Sequence, residues 1–369
     1  MNSTFVQLIQ RLSDARGASG FEREVAELLR EETRDIGEGT RDPMNNFYVV
    51  RSENAGGLDD PKSIWHKGER RLRVQLDAHM DEVGFMVQAI LPNGTLCMAP
   101  IGGWVASNIP AHRVLVRRPD GSYIRGLTAS KPPHYMSEEE RSKGVNVQDI
   151  VVDVGTSSYE ESVALGIEIG EPIVPDVRCT YDEERGLFSG KAFDCRSGCA
   201  VIVETLRRLR GERLEADVFA AFSTQEEVGT RGAAVTCERV HPDLAIVFEG
   251  CPADDTFPQK HAPQTAMGRG PMLRHIDARM ITHPAFQRWA LHVAEEANIP
   301  VQRAVRTGGA TNGAPIHLSG QGVPTIVIGV PVRYIHTHYG IASYADHEAS
   351  VRLAVELLRR LNEAVFEEL

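Results

Sequence analysis

Apolar residues recur at helical spacing at both ends of the chain and at strand spacing between them. Phe5, Leu8, Ile9 and Leu12 share one helical face; a second helix carries Val25, Leu28 and Leu29 behind Ser19 and Glu22, which have the spacing of a capping box. From LRVQLDA (72–78) the pattern turns to strands. Between about 84 and 175, short runs such as GFMVQAI, HRVLVRR and DIVVDV are punctuated by Pro-Asn-Gly (92–94) and Pro-Asp-Gly (119–121), which predicts a small barrel or sandwich. After about 176 the alternation changes. A helix over VIVETLRRL (201–209) precedes strands over ADVFAAFS (216–223) and LAIVFEG (244–250), and an amphipathic helix follows with Phe286, Trp289, Ala290, Val293 and Ala297. A strand over PTIVIGV (324–330) and one closing helix with Val351, Val355, Leu358, Leu361 and Val365 end the series.

Near-continuous apolar strands alternating with helices indicate a sheet covered on both faces. The expected fold is therefore α/β, a central sheet with helices on both faces, interrupted by a β-rich insertion. The boundaries fall at 1–83 and 176–369 for the main domain and 84–175 for the insertion. A length of 369 residues, 42% of them apolar, suits such a two-part chain.

Charge narrows the partners. With 40 Lys and Arg against 51 Asp and Glu, the net charge of −11 argues against nucleic acid or an anionic membrane, either of which needs a basic stripe. The opening MNSTFVQLIQRLSD lacks a signal peptide's apolar run, and no window approaches the ~20 apolar residues of a membrane span. Six cysteines (Cys97, Cys179, Cys195, Cys199, Cys237, Cys251) are scattered without a C-x-x-C pair. They read as reduced thiols, and the expected compartment is the cytoplasm.

Candidate chemistry gathers at strand ends. His79 and Asp81 directly follow the strand predicted over 72–78, at an edge where a sheet presents side chains to a crevice. An H-x-D triplet also arises by chance, so a core histidine remains an equal reading. A ligating imidazole nevertheless needs a carboxylate on its other nitrogen to fix its tautomer and orientation, and Asp81 is near enough in sequence to serve. Glu226 and Glu227 end VFAAFSTQEEVGTRG; other Glu pairs (31–32, 160–161, 183–184, 295–296) read as solvated faces, but these two lie immediately beyond a buried strand. One can bind a cation while the other serves as a general base. Asp194 precedes a helix expected to begin near Gly198, where it is either a bridging ligand or a turn aspartate; Glu249 and His336 follow further strands. Together His79, Asp194, Glu227, Glu249 and His336 form an imidazole and carboxylate set that would hold two Zn²⁺, Co²⁺ or Mn²⁺ ions without thiolate.

The segments GASGFEREVAELL (17–29), DAHMDEVGFMV (77–87), IGGW (101–104), SKPPH (130–134), GKAFDCRSGCA (190–200), STQEEVGTRGA (223–233), GRGP (268–271) and RYIH (333–336) occur in the order seen in the tetrahedral aminopeptidases. This is the family of dinuclear metallopeptidases that includes glutamyl and deblocking aminopeptidases, and the chain resembles it over nearly its whole length. The resemblance implies a zinc-peptidase-like fold and hydrolysis of the N-terminal residue from short peptides. It also implies roles: His79 and Glu249 on one metal, Glu227 and His336 on the other, Asp194 bridging, Asp81 orienting His79, and Glu226 activating a water between the metals. Zinc is the expected ion, with cobalt or manganese as alternatives. The insertion would mediate dimerisation, and dimers would assemble into a tetrahedral dodecamer.

The chain departs from the family pattern at three points. Cys195 stands where a second aspartate is usual, Glu249 stands where aspartate is usual, and a Gly-Thr-Asp segment reads Ala310-Thr311-Asn312, with Asn312 expected on the substrate side. Cys195 reads either as a small buried replacement or as a thiolate that alters metal preference. Arg306 and Lys260 are the cationic candidates for an acidic-substrate pocket. The rival functions are a dinuclear deacylase or specialised dipeptidase on the same fold, and a metal-depleted, non-catalytic assembly protein.

Overall fold

The computed structural model describes residues 2–59, 71–257 and 262–369. Its centre is a mixed sheet of 11 strands. Four of them run parallel and adjacent, in the order Asp217–Ser223, Arg73–His79, Leu244–Pro252 and Thr325–Arg333. Antiparallel strands extend both sides, Phe47–Arg51 and Gly37–Arg41 on one, Gly340–Ser343, Leu187–Gly190 and Thr180–Asp182 on the other. Met272–Ile276 pairs with the strand Thr325–Arg333, and Gln302–Val305 pairs with Met272–Ile276.

The parallel strands are buried along almost every residue because helices cover both faces. One face packs on Phe193–Arg208, itself buried nearly all round beneath Ser3–Asp14 and Tyr344–Arg360. The other face carries Arg231–Val240 and the short turn Gly313–Ile316. Because the four strands are parallel, their carboxyl ends emerge at one edge, and the loops there are brought together whatever their separation in sequence.

The chain leaves this sheet after His79 and forms a closed six-stranded barrel, from Gly84–Ile90 to Pro172–Pro175. The barrel has its own core, including Phe85, Val87, Leu96, Val114, Val116, Val152 and Ile173.

Three local expectations are corrected. Ser19 and Glu22 do not form a capping box: the helix begins at Arg23 without a side-chain cap, because both side chains are taken up elsewhere. The helix placed near Gly198 starts at Phe193, although Asp194 and Cys195 have non-helical backbone angles. The closing helix is two, Tyr344–Arg360 and Glu363–Glu367; the Asn362 side chain accepts from the Val365 N–H and starts the second.

Candidate metal centre

Each of the parallel strands delivers one part of the cluster. His79 is the last residue of its strand, Glu226 and Glu227 lie just beyond Ser223, Glu249 lies near the end of Leu244–Pro252, and His336 lies three residues beyond Arg333. Asp194 reaches the same place from the first turn of the buried helix. That approach depends on Gly250, where a Cβ would stand 2.7 Å from the Asp194 Cα.

The Asp194 carboxylate is divided between the two imidazoles. Its Oδ1 lies 3.2 Å from His79 Nε2 and its Oδ2 lies 3.1 Å from His336 Nε2. Glu249 Oε2 is 3.6 Å from His79 Nε2, and Glu227 Oε1 is 3.4 Å from His336 Nε2. Glu226 Oε2 lies 3.9 Å from His79 Nε2. All five expected ligands and Glu226 thus converge, in overlapping groups whose ligand atoms lie within 4.8 Å of one another.

Asp81 stands behind this cluster, fully buried. Its backbone carbonyl is 3.1 Å and its Oδ1 3.3 Å from His79 Nδ1, so carbonyl and carboxylate both face the nitrogen that turns away from Asp194. The same carboxylate accepts from Ser19 Oγ at 2.6 Å and from the N–H groups of Glu226 and Glu227 at 3.0 and 3.1 Å. Glu22 accepts from the Gln225 N–H at 3.1 Å and from Gly20 N–H at 2.7 Å. Ser19 and Glu22 are therefore braces for the glutamate loop, a role their sequence spacing concealed. Gly103, in the barrel, was also missed: its carbonyl accepts from His336 Nδ1 at 3.0 Å.

The electrostatics are those of carboxylates crowded out of water. Burial pushes Glu249 up to about 8, with Asp194 adding to the effect against the pull of His79. Burial also drives Glu226 well above the carboxylate range; His79 opposes this, while Glu249 and Glu227 reinforce it. Burial resists charge on His336, yet hydrogen bonds to Asp194 and Glu227 push it up to about 11. Glu249 Oε1 is buried without a hydrogen-bond partner, and the buried Glu227 Oε1 faces only the His336 imidazole at 3.4 Å among the described residues. Orphaned carboxylate oxygens are costly unless a cation faces them. Paired imidazoles and carboxylates of this kind are the donor set of divalent zinc, cobalt or manganese, so these residues fit such ions.

The departures can now be placed. The Cys195 thiol is buried and donates to the Phe248 carbonyl at 2.9 Å, and burial raises its pKa well above the ordinary range, which favours the reading of a small buried replacement. Asn312 is not on the substrate side. It is fully buried, donating to Asp77 Oδ1 at 2.7 Å and Ser223 Oγ at 2.6 Å. Arg306 is engaged by Asp254 at 3.0 Å and by Thr265. Lys260 lies outside the described residues. No helix among the described residues is long and apolar enough to cross a membrane.

The family model of the M42 glutamyl aminopeptidases matches residues 63–353. The glutamyl aminopeptidase of Lactococcus lactis subsp. cremoris is 32% identical over 343 residues, 92% of this chain and 91% of that one. The lysyl aminopeptidase of Pyrococcus furiosus is 29% identical over 367 residues, 96% of this chain and 97% of its own. Among solved structures, the TET aminopeptidase of the marine sediment archaeon Thaumarchaeota archaeon SCGC AB-539-E09 superposes with a TM-score of 0.91 at 36% identity, covering 99% of both chains. The chain belongs to the M42 glutamyl aminopeptidase family.

Proposed function

We propose that this chain is a dinuclear metallo-aminopeptidase that removes the N-terminal residue from short peptides. The observation that carries the reading is the division of the Asp194 carboxylate between His79 and His336, each with a further carboxylate beside it. His79 and Glu249 would hold one divalent ion, Glu227 and His336 the other, with Asp194 between them. Two such ions supply Lewis acidity, polarising a peptide carbonyl and making water acidic enough to ionise near neutrality. Glu226 is the proton carrier. Its carboxylate is mostly buried and lies 3.9 Å from His79 Nε2, placed to take a proton from the attacking water and pass it to the leaving amine. Asp81 holds the His79 ring and, through the N–H groups of Glu226 and Glu227, the glutamate loop.

The test pairs metal analysis with turnover. Wild type should take up two equivalents of Zn²⁺ and hydrolyse free-amine dipeptides, whereas Glu226→Gln should keep both ions and lose at least a hundredfold in kcat. Activity retained in that variant would remove Glu226 from its role. Hydrolysis of N-acetylated substrates in preference to free-amine ones would point to a deacylase instead. Zinc, with cobalt or manganese as alternatives, is the ion we assign, to be identified by elemental analysis of the protein as isolated.

The preferred side chain does not follow from relatives named for glutamyl and for lysyl residues, whose charges are opposite. Nor does Arg306, already paired with Asp254, support an acidic pocket. We assign the insertion, 84–175, a dimerisation role and place the protein in the cytoplasm as a homo-oligomer, in which dimers build a tetrahedral dodecamer. Exposed apolar side chains on the insertion, among them Val105, Tyr135 and Ile169, and six unpaired cysteines support these assignments. Light scattering of the purified protein reads the assembly directly.

A further inference from the structure

The two imidazoles of the cluster are oriented from different places. His79 Nδ1 faces the carbonyl and carboxylate of Asp81, two residues along the same chain. His336 Nδ1 faces the Gly103 carbonyl, which belongs to the barrel and lies 233 residues away in sequence. A carbonyl oxygen can only accept, so Nδ1 of His336 carries a proton toward Gly103, which would leave Nε2 as the nitrogen that gives up its proton for an ion held with Asp194 and Glu227. His336 needs such a hold, because its backbone sits at φ +57°, a left-handed conformation that a non-glycine residue keeps only when its surroundings impose it.

The turn that supplies the carbonyl runs against both ligands of this subsite. A Cβ at Gly102 would stand 3.1 Å from Glu227 Oε2 and 2.6 Å from Val83 Cγ1, and one at Gly103 would stand 3.3 Å from His336 Nδ1. The next residue, Trp104, fixes the turn. Its Nε1 donates to the Gly84 carbonyl at 3.1 Å, its ring stacks on Phe85 with centroids 4.7 Å apart, and the tilted His338 ring lies 5.1 Å away. IGGW is thus a rivet between the barrel and the loop that carries His336.

We propose that Gly102, Gly103 and Trp104 are positioning residues by which the barrel sets the geometry of the His336–Glu227 metal subsite and leaves the His79–Glu249 subsite alone. This rests on the dinuclear reading above. Loosening the turn should therefore weaken one ion and spare the other, a split that a general loss of stability does not produce.

The experiment titrates metal-free full-length protein with Zn²⁺ against a chromophoric competitor, for wild type, Trp104→Leu, Gly103→Val and, as the marker of the subsite, His336→Ala. Wild type should bind two equivalents. In Trp104→Leu one step should keep its wild-type affinity, while the step abolished by His336→Ala weakens by roughly 10- to 100-fold, the usual cost of losing a ligand's orienting partner. Gly103→Val keeps the tryptophan and should weaken the same step, so the reading does not depend on Trp104→Leu folding. Wild-type affinity at both steps in both variants, or equal weakening of the two steps, would overturn the proposal. A wild type that takes up fewer than two equivalents would overturn the dinuclear reading and this inference with it.

Discussion

Lys191 and Glu82 form an ion pair sealed inside the protein, and separating them should cost more than any surface substitution. The Lys191 ammonium lies 2.6 Å from both Glu82 oxygens and 3.1 Å from the Ala15 carbonyl, with about 2% of either side chain exposed. At an effective dielectric constant of about 20, the attraction across 2.6 Å is about 6 kcal/mol. Burial pushes the Lys191 pKa down even with Glu82 in contact, so replacing the ammonium recovers part of that sum. Among the described residues, Lys191→Met leaves the Glu82 carboxylate with the Gly17 N–H at 3.1 Å and the Arg196 guanidinium at 3.5 Å. The expected net loss is about 3 kcal/mol, within the range for breaking a buried pair. Metal-free protein melted by circular dichroism should show an apparent Tm lower by roughly 6–12 °C for Lys191→Met, at about 2–4 °C per kcal/mol. Glu82→Gln should fall comparably, and the double variant should fall by well under the sum of the two, since it removes Lys191 and Glu82 together and strands neither against the other's absence. Strictly additive shifts, or single shifts under about 2 °C, would refute the reasoning.

Other consequences follow from the same kind of contact. His347 is buried between Phe5 and Phe188 with Nε2 3.0 Å from Ser197 Oγ, and burial pushes its pKa down from 6.5 to about 4. The unfolded chain then binds the extra proton first, so this group's share of stability, about 3 kcal/mol, is intact above pH 6.5 and drains away between there and about 4; His347→Gln should flatten that part of the stability profile, measured by urea midpoints. Asn312→Asp sets a second carboxyl 2.7 Å from Asp77, itself raised to about 6 by burial, so the variant should melt several degrees below wild type at pH 8, with the gap closing toward pH 5. Cys195→Ala removes one buried hydrogen bond at 2.9 Å, and should lower stability by about 1 kcal/mol while leaving both metal equivalents in place by elemental analysis. Stripping the ions with a chelator should lower the Tm, by an amount equivalent to about 3 kcal/mol for each ion that had been present at a hundred times its Kd.

The central strands were readable because burial on both faces demands continuous apolar runs, as in DVFAAFS and TIVIGVPV, and the chemistry was readable because polar residues interrupt those runs at one end. The flanking strands were not. GEGTR (37–41) has no apolar residue, and Thr180–Asp182 spans three positions, so both are held by neighbours rather than by their own pattern. The braces of the site escaped for a related reason. Ser19 reaches Asp81 across 62 positions and Gly103 acts through a backbone carbonyl, an atom that every residue possesses. Asn312 was misplaced because a motif gives order along the chain but not depth beneath the surface.

The first and last strands of the barrel are hydrogen-bonded neighbours, Phe85 opposite Ile173. The polypeptide accordingly departs and comes home through a single narrow gateway, and the detour between adds bulk without prising the parallel strands apart. Lengthening or reshaping its outer loops should be mechanically silent at the sheet. Excising it whole should not: a short bridge from Val83 to Asp176 could preserve the sheet's hydrogen bonding, yet it would strip His336 of the Gly103 carbonyl that faces its far nitrogen.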